Sequence, residues 1–347
     1  MTLKERLGWP RGVPSRRSVL AAALALPQVL RSLGCSRPAR VREYSFEATF
    51  PSLFDSRPMS TPCDPTLPGP RVEIVGPPIA PAVCNRAEQL SLSTTEMPAL
   101  AIDAGDQTTV SIVGTDADRY EVRFCAQAGG ANDSDARLSL DKIALTHSGQ
   151  LLKATAPEHS RERPVNAWLH IEAARQRAVT VNGTSSYMEV FGIDAPVHVS
   201  TTHARIKLIE TTAEVQATAH VGVIDFAGHR GRVRLNVDGE GEINLKLTAA
   251  RFDGTLHAKA EMAIRILLPP GFESPFEAIV DQPDLFVCRA GLAPDVRRRN
   301  RGGGVVFSYG PGDPVLRFVS HGVLVIDSAD RLTAPRPTRY RKITNPA

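Results

Sequence analysis

Apolar residues separated by a single position recur through the middle of the chain. Val179 and Val181 are followed by Met188 and Val190, Val197 and Val199, Ile206 and Leu208, and Val215 and Ala217. The series continues with Ile224 and Phe226, Val233 and Leu235, Ile243 and Leu245, Leu256 and Ala258, and Ile264 and Ile266. Alternation at period two marks strands with one buried side. Alternate pairs begin at 179, 197, 215, 233 and 256, steps of 18, 18, 18 and 23 residues. The intervening pairs begin at 188, 206, 224, 243 and 264, steps of 18, 18, 19 and 21. Two strands per unit at a nearly fixed period is the pattern of a repeat architecture.

Asn182-Gly183, Gly192, Gly228, Gly231, Asp238-Gly239 and Asp253-Gly254 fall in the gaps and supply bends between short strands. The prediction is an all-β protein built on a parallel β-solenoid of about five coils over 176–331. Positions 206, 224, 243 and 264 would then lie above one another, each buried side chain contributing about 1.5–3 kcal/mol. No single coil could bury its apolar side alone. The alternative is an antiparallel meander or sandwich, because strands about nine residues apart can also be joined by hairpins.

Upstream, Tyr44, Phe46, Ala48 and Phe50 alternate as an opening strand, and residues 51–87 are proline-rich and read as an irregular excursion. Strands are expected around 100–102, 109–112, 120–124, 151–154 and 167–171, with one short helix within 133–145 packed through Leu138, Leu140, Ile143 and Leu145. The expected divisions are 1–34, 35–94, an N-terminal β part at 95–175, the repeat part at 176–331, and a disordered tail at 332–347. Further strands are expected at 276–280, 305–307, 315–319 and 323–326, interrupted by an arginine-rich loop.

Residues 1–34 carry Lys4, Arg6, Arg11, Arg16, Arg17 and Arg31 against Glu5, a net of +5 in a chain whose total is +4. The remainder is therefore close to neutral, and no global basic field attracts nucleic acid. Local clusters at Arg297, Arg298, Arg299 and Arg301 and at Arg336, Arg339, Arg341 and Lys342 read as solvated loop and tail.

The basic region before the apolar run Val19 to Leu26 has the anatomy of a secretory signal. Ser15-Arg16-Arg17-Ser18-Val19-Leu20 resembles a twin-arginine signal, with Arg16 and Arg17 as its paired arginines. That resemblance implies export of an already folded protein from a bacterium. Leu33-Gly34-Cys35 resembles the end of a lipobox, with Ser32 where leucine is preferred, so Cys35 is a candidate acylation site and ordinary cleavage nearby is the alternative. In an exported chain Cys63 and Cys84 are the expected disulfide, worth about 3 kcal/mol for a loop of about 20 residues. Two independent thiols are the alternative, and Cys125 and Cys288 read as buried and lone.

The coils 179–190, 197–208, 215–226 and 233–245, with Ala263 to Phe272 and Val319 to Ile326, together resemble the DUF4097-type family of adhesin-like β-repeat proteins of the bacterial envelope. The resemblance spans about 95–330 and implies a β-solenoid-like envelope protein. It supplies no catalytic residues.

The sequence holds no G-x-S-x-G elbow, no P-loop and no Cys/His zinc spacing, so no catalytic residue and no cofactor is expected. His203, His220 and His321, with Glu240 and Glu261, stand at similar offsets before ladder residues and read as solvated corners, with a metal edge as the sharper alternative. Glu210, Asp225, Asp238, Glu242 and Asp253 are the acids a solenoid carbohydrate-active enzyme would need, at offsets that share no face. The expected function is a non-enzymatic surface or scaffold module that binds an envelope protein or glycan. It would touch a membrane only through an N-terminal lipid, and a periplasmic regulator or sensor of envelope state is the further alternative.

Overall fold

The computed structural model describes residues 82–160 and 162–329, all within one compact unit. The proposed export residues Arg16 and Arg17, Cys35, Cys63, the opening strand at 44–50 and the tail at 332–347 lie outside the described residues. Strands β1 (Ala82–Ser93), β2 (Leu100–Ala104), β3 (Thr108–Thr115) and β4 (Arg119–Gly130) precede the helix α1 (Asp133–Leu140). Then come β5 (Ala144–Ser148), β6 (Leu151–Thr155), β7 (Val165–Ala174), β8 (Val179–Phe191), β9 (Val197–Ile209) and β10 (Glu214–Gly228). The second half holds β11 (Arg230–Val237), β12 (Gly241–Leu247), β13 (Asp253–Ala260), β14 (Ala263–Leu268) and β15 (Phe276–Val280). It closes with β16 (Phe286–Cys288), β17 (Arg297–Arg301), β18 (Gly304–Tyr309), β19 (Leu316–Ser320) and β20 (Val323–Ser328).

These strands stack in parallel as coils, each contributing one segment to a face called here sheet A and one to a face called sheet B. β8, β9 and β10 are long enough to run through both. Sheet A stacks β6, β2, the first halves of β8, β9 and β10, then β11, β13, β19 and β15. Sheet B stacks β7, β3, the second halves of β8, β9 and β10, then β12, β14, β20 and β16.

The predicted ladder is present in register. Met188 pairs with Ile206, Ile206 with Ile224, Ile224 with Ile243, Ile243 with Ile264 and Ile264 with Leu324. All six are fully buried in one core that runs from Met97 to Ile326. Antiparallel pairing among the described residues is confined to the two ends of the stack, where β1 and β4 extend β7, β5 pairs β6, and β17 and β18 extend β15.

Among the described residues the stack therefore has nine levels, more than the five expected, because segments on either side of the regular repeat join it. β2 and β3 bond directly to β8, so packing does not break near residue 175. Among the described residues strand structure is already present from Ala82, inside the stretch expected to be irregular. Residues 297–301 form an edge strand where a loop was expected, since Arg297 and Arg299 pair across to Ser308 and Val306. The helix is shorter than expected and ends at Leu140. Asn132 caps it by accepting from the Asp135 amide at 3.0 Å, and Leu138 faces solvent.

Chain order and spatial order part company at both ends. β2/β3, first in sequence among the coils, lies second in the stack, covered by β6/β7. β19/β20, last in sequence, lies second from the other end, covered by β15/β16. Phe286 stacks on Phe307 with ring centroids 4.0 Å apart, and Phe276 stacks on Tyr309 at 5.4 Å, filling the core beneath the terminal level.

Tight corners need small residues. Gly222 has φ +138°, and a Cβ there would lie 1.9 Å from the carbonyl oxygen of Ala204 on the neighbouring coil. Gly222→Ala should therefore destabilise by at least about 2 kcal/mol, read as a lower urea midpoint. Ile224→Asp, placing a carboxylate in the apolar row, should cost about 4 kcal/mol or more and abolish the cooperative transition. His220→Ala removes an exposed contact to Asp238 at 2.9 Å and should shift stability by less than about 1 kcal/mol.

Candidate binding face

Between each pair of inward residues one residue points away from the core, and on the two sheets these middle residues meet different fates. On sheet B they run Ser111, Glu189, Lys207, Asp225, Asn244 and Arg265. From Ser111 to Asn244 they are buried. Ser111 Oγ donates to Glu189 Oε1 at 2.7 Å, and Tyr187 OH donates to Glu189 Oε2 at 3.3 Å. Burial, reinforced by the Glu189 carboxylate, pushes the Tyr187 phenol well above its ordinary range. Asp225 accepts from Arg205 Nε at 2.5 Å and from Asn244 Nδ2 at 2.9 Å. Arg265 bonds Glu242 at 2.8 Å, and the Lys207 ammonium sits 5.3 Å from the centre of the Phe191 ring. Along Glu189, Lys207 and Asp225 the sign of charge alternates from one level to the next, and Arg265 finds its acid in Glu242 on the adjacent strand.

On sheet A the middle residues run Thr180, His198, Gln216, Arg234, His257, Arg317 and Glu277. His198 through Arg317 are exposed. A parallel row two residues along reads Asn182, Ser200, Thr218, Asn236 and Lys259. Two adjoining shallow depressions of about 90 and 270 Å³ lie across β10, β11 and β13, sharing Gln216, Arg234 and His257 in their walls. Arg232 engages Glu214 at 3.4 Å, and buried Glu277 takes both Arg299 at 2.6 Å and Arg317 at 3.0 Å. Arg234 forms no ion pair among the described residues. The His257 imidazole is pushed below its ordinary value, first by partial burial of its ring and then by the nearby Arg317 and Arg234 guanidiniums.

The acids singled out in the sequence do not converge. Asp225 and Glu242 are ion-paired on sheet B, Asp238 pairs His220, Asp253 begins β13, and Glu210 holds a corner with φ +54°. His321 stands 3.2 Å from Asp281 and 3.9 Å from Glu261, a corner cluster spanning three levels, and no group of three or more His, Cys, Asp or Glu residues among the described ones is arranged to hold a metal ion.

The cysteines differ from expectation. Cys84 on β1 is a free thiol, 3.9 Å from the Asp133 carbonyl oxygen, so the expected Cys63–Cys84 bridge is not made. Cys125 on β4, expected to be lone, is disulfide-bonded. It points away from the core that its neighbour Phe124 enters, an orientation that alternation along β4 requires. Cys288 is a half-buried free thiol whose pKa burial raises.

The residues of the sheet A face were missed as a site by sequence reasoning, although the signal was present. They are the middle residues of the apolar pairs that begin at 179, 197, 215, 233 and 256.

No sequence family matches the chain, and no curated protein matches it. Among solved structures, a "putative cell adhesion protein" from Clostridium sporogenes aligns at 10% identity and TM-score 0.33, over 71% of this chain and 99% of its own. A "putative adhesin" from Bacteroides fragilis aligns at 9% identity and TM-score 0.34, over 73% and 100%. Another from Parabacteroides distasonis gives 8% and 0.29, over 70% and 97%. Scores at this level transfer no ligand or activity.

Removing the carboxylate at the centre of the sheet B row should leave Arg205 and Asn244 without their shared acceptor. Asp225→Ala is expected to cost about 2–4 kcal/mol in urea unfolding, below the upper limit for a buried pair because Arg205 is partly exposed.

Proposed function

We propose that the protein is a non-enzymatic module of the bacterial envelope that holds an extended partner against the outer face of sheet A. The observation that carries this reading is the face itself. Its central row, from His198 to Arg317, is polar and exposed, and the side chains of that row repeat at the strand spacing of about 4.8 Å. Such a surface suits many weak contacts to a polymer or a broad protein surface, because each level repeats the one beside it.

Export and anchoring belong to the same proposal. Residues 1–34, with Arg16 and Arg17, direct the folded chain out of the cytoplasm, and an acyl group on Cys35 tethers it. The disulfide at Cys125 supports an oxidising compartment. Adhesion to wall or glycan is the reading favoured, as in the DUF4097-type proteins the chain resembles.

Immobilised full-length protein should retain envelope fragments, and Arg234→Glu combined with Lys259→Glu should reduce retention about fivefold or more without changing the melting temperature. Recovery of one stoichiometric protein partner would replace adhesion with a regulatory role. Release of reducing or unsaturated sugars, abolished by single acidic substitutions, would replace it with a carbohydrate-active enzyme. Arg16→Lys with Arg17→Lys should hold the chain in the cytoplasm, and Cys35→Ser should shift it from the membrane to the soluble fraction.

A further inference from the structure

We infer that the outer face of sheet A from β10 to β17 is a binding site for an acidic polysaccharide laid across the strands. This rests on the binding-face reading above and adds the chemical class of the ligand.

Three observations point there together. The first is charge. Arg232, Arg234, Lys259 and Arg317 lie on successive strands β11, β13 and β19, and Arg297 and Arg299 continue the same face on β17. Against them stand Glu214 and Glu277, each already engaged by arginine, and Glu261, 3.7 Å from the Lys259 ammonium. Arg234 keeps its fork for an incoming anion, and a planar guanidinium matches carboxylate or sulfate oxygens two at a time.

The second is the company these cations keep. Gln216, Thr218, Asn236 and His257 line the depressions between them. Amide, hydroxyl and imidazole groups can donate to and accept from sugar hydroxyls, so the surface offers both halves of what a charged sugar presents.

The third is composition. Among the described residues of the two outward rows, from Thr180 to Glu277 and from Asn182 to Lys259, none is Phe, Tyr or Trp. A platform for single-stranded bases needs aromatic stacking, which these rows lack. Charge is left as the source of affinity.

A solubility role accounts for part of this surface and not the rest. Arginines on an exposed edge strand such as β17 discourage edge-to-edge pairing. Arg234, His257 and Lys259 sit in mid-sheet with a bonded strand on each side, where no edge needs protecting.

The test uses the full chain and four probes: polygalacturonate, dextran sulfate, neutral dextran and duplex DNA. Binding to polygalacturonate or dextran sulfate, weakened by salt, is expected, and the tighter of the two identifies carboxylate or sulfate as the recognised group. Arg234→Glu with Lys259→Glu should raise the Kd about tenfold or more. Arg297→Glu should raise it less. Arg137→Glu, on exposed α1, changes net charge equally per site and should leave the Kd unchanged.

Equal binding of neutral dextran would overturn the inference. So would an equal effect of Arg137→Glu, which would reduce the face to bulk charge, and so would tighter binding of DNA than of either acidic polymer. If envelope fragments still depend on Arg234 and Lys259 while neither acidic polymer binds, the acidic ligand falls and the binding face stands. If fragments are retained equally by the Arg234→Glu, Lys259→Glu protein, the binding face itself falls.

Discussion

Everything in this molecule depends on like residues lying over like residues from one level to the next. A strand pair such as Val197/Val199 with Ile206/Leu208 offers too little apolar surface to hold itself folded. Stacked between the equivalent pairs of β8 and β10, it loses almost all contact with water. The parallel hydrogen bonds fix the register, and the register decides which side chains meet. One offset of a single residue would turn Ile224 outward and Asp225 inward. The fold is therefore specified level by level.

The same register sorts the outward residues into continuous rows, and the two faces solve the problem of repeated polar groups in different ways. Sheet B alternates Glu189, Lys207 and Asp225, so that burial is matched by opposite charge one level away. Sheet A carries cations with few acids and leaves them in water, where repulsion is screened and no desolvation cost arises. A face that keeps a surplus of one sign in the open retains the capacity to meet a ligand of the other sign.

Much of this was legible in the sequence, for a physical reason. Inward rows betray themselves by period two along a strand and by a step near 18 between coils, and every residue of the expected 206, 224, 243, 264 ladder lies on it. The middle residues were equally readable as positions. Their exposure was not, because Arg234 and Asp225 look alike as polar residues between two apolar ones, and only long-range packing separates an open face from a covered one. The ends were illegible for a related reason. β15 pairs with β19 across about 40 residues of sequence, and nothing periodic announces that pairing. Cys125 shows the same limit, since alternation gives the direction of its side chain and only space gives its bonding.

The exchange of order at the two ends bears on how the molecule answers to force. In a simple solenoid a pull on the last segment peels the outermost rung, one row of hydrogen bonds at a time. Here traction on the segment after β20 acts on a plank clamped between β14 and β16, while its companion β19 is clamped between β13 and β15. Detaching it means shearing two seams together; at the other end β2 and β3 are clamped likewise, but β1 precedes them in the chain. The clamp is thus one-sided: traction after β20 meets two seams at once, whereas traction ahead of β1 meets a strand bonded, among the described residues, only to β4.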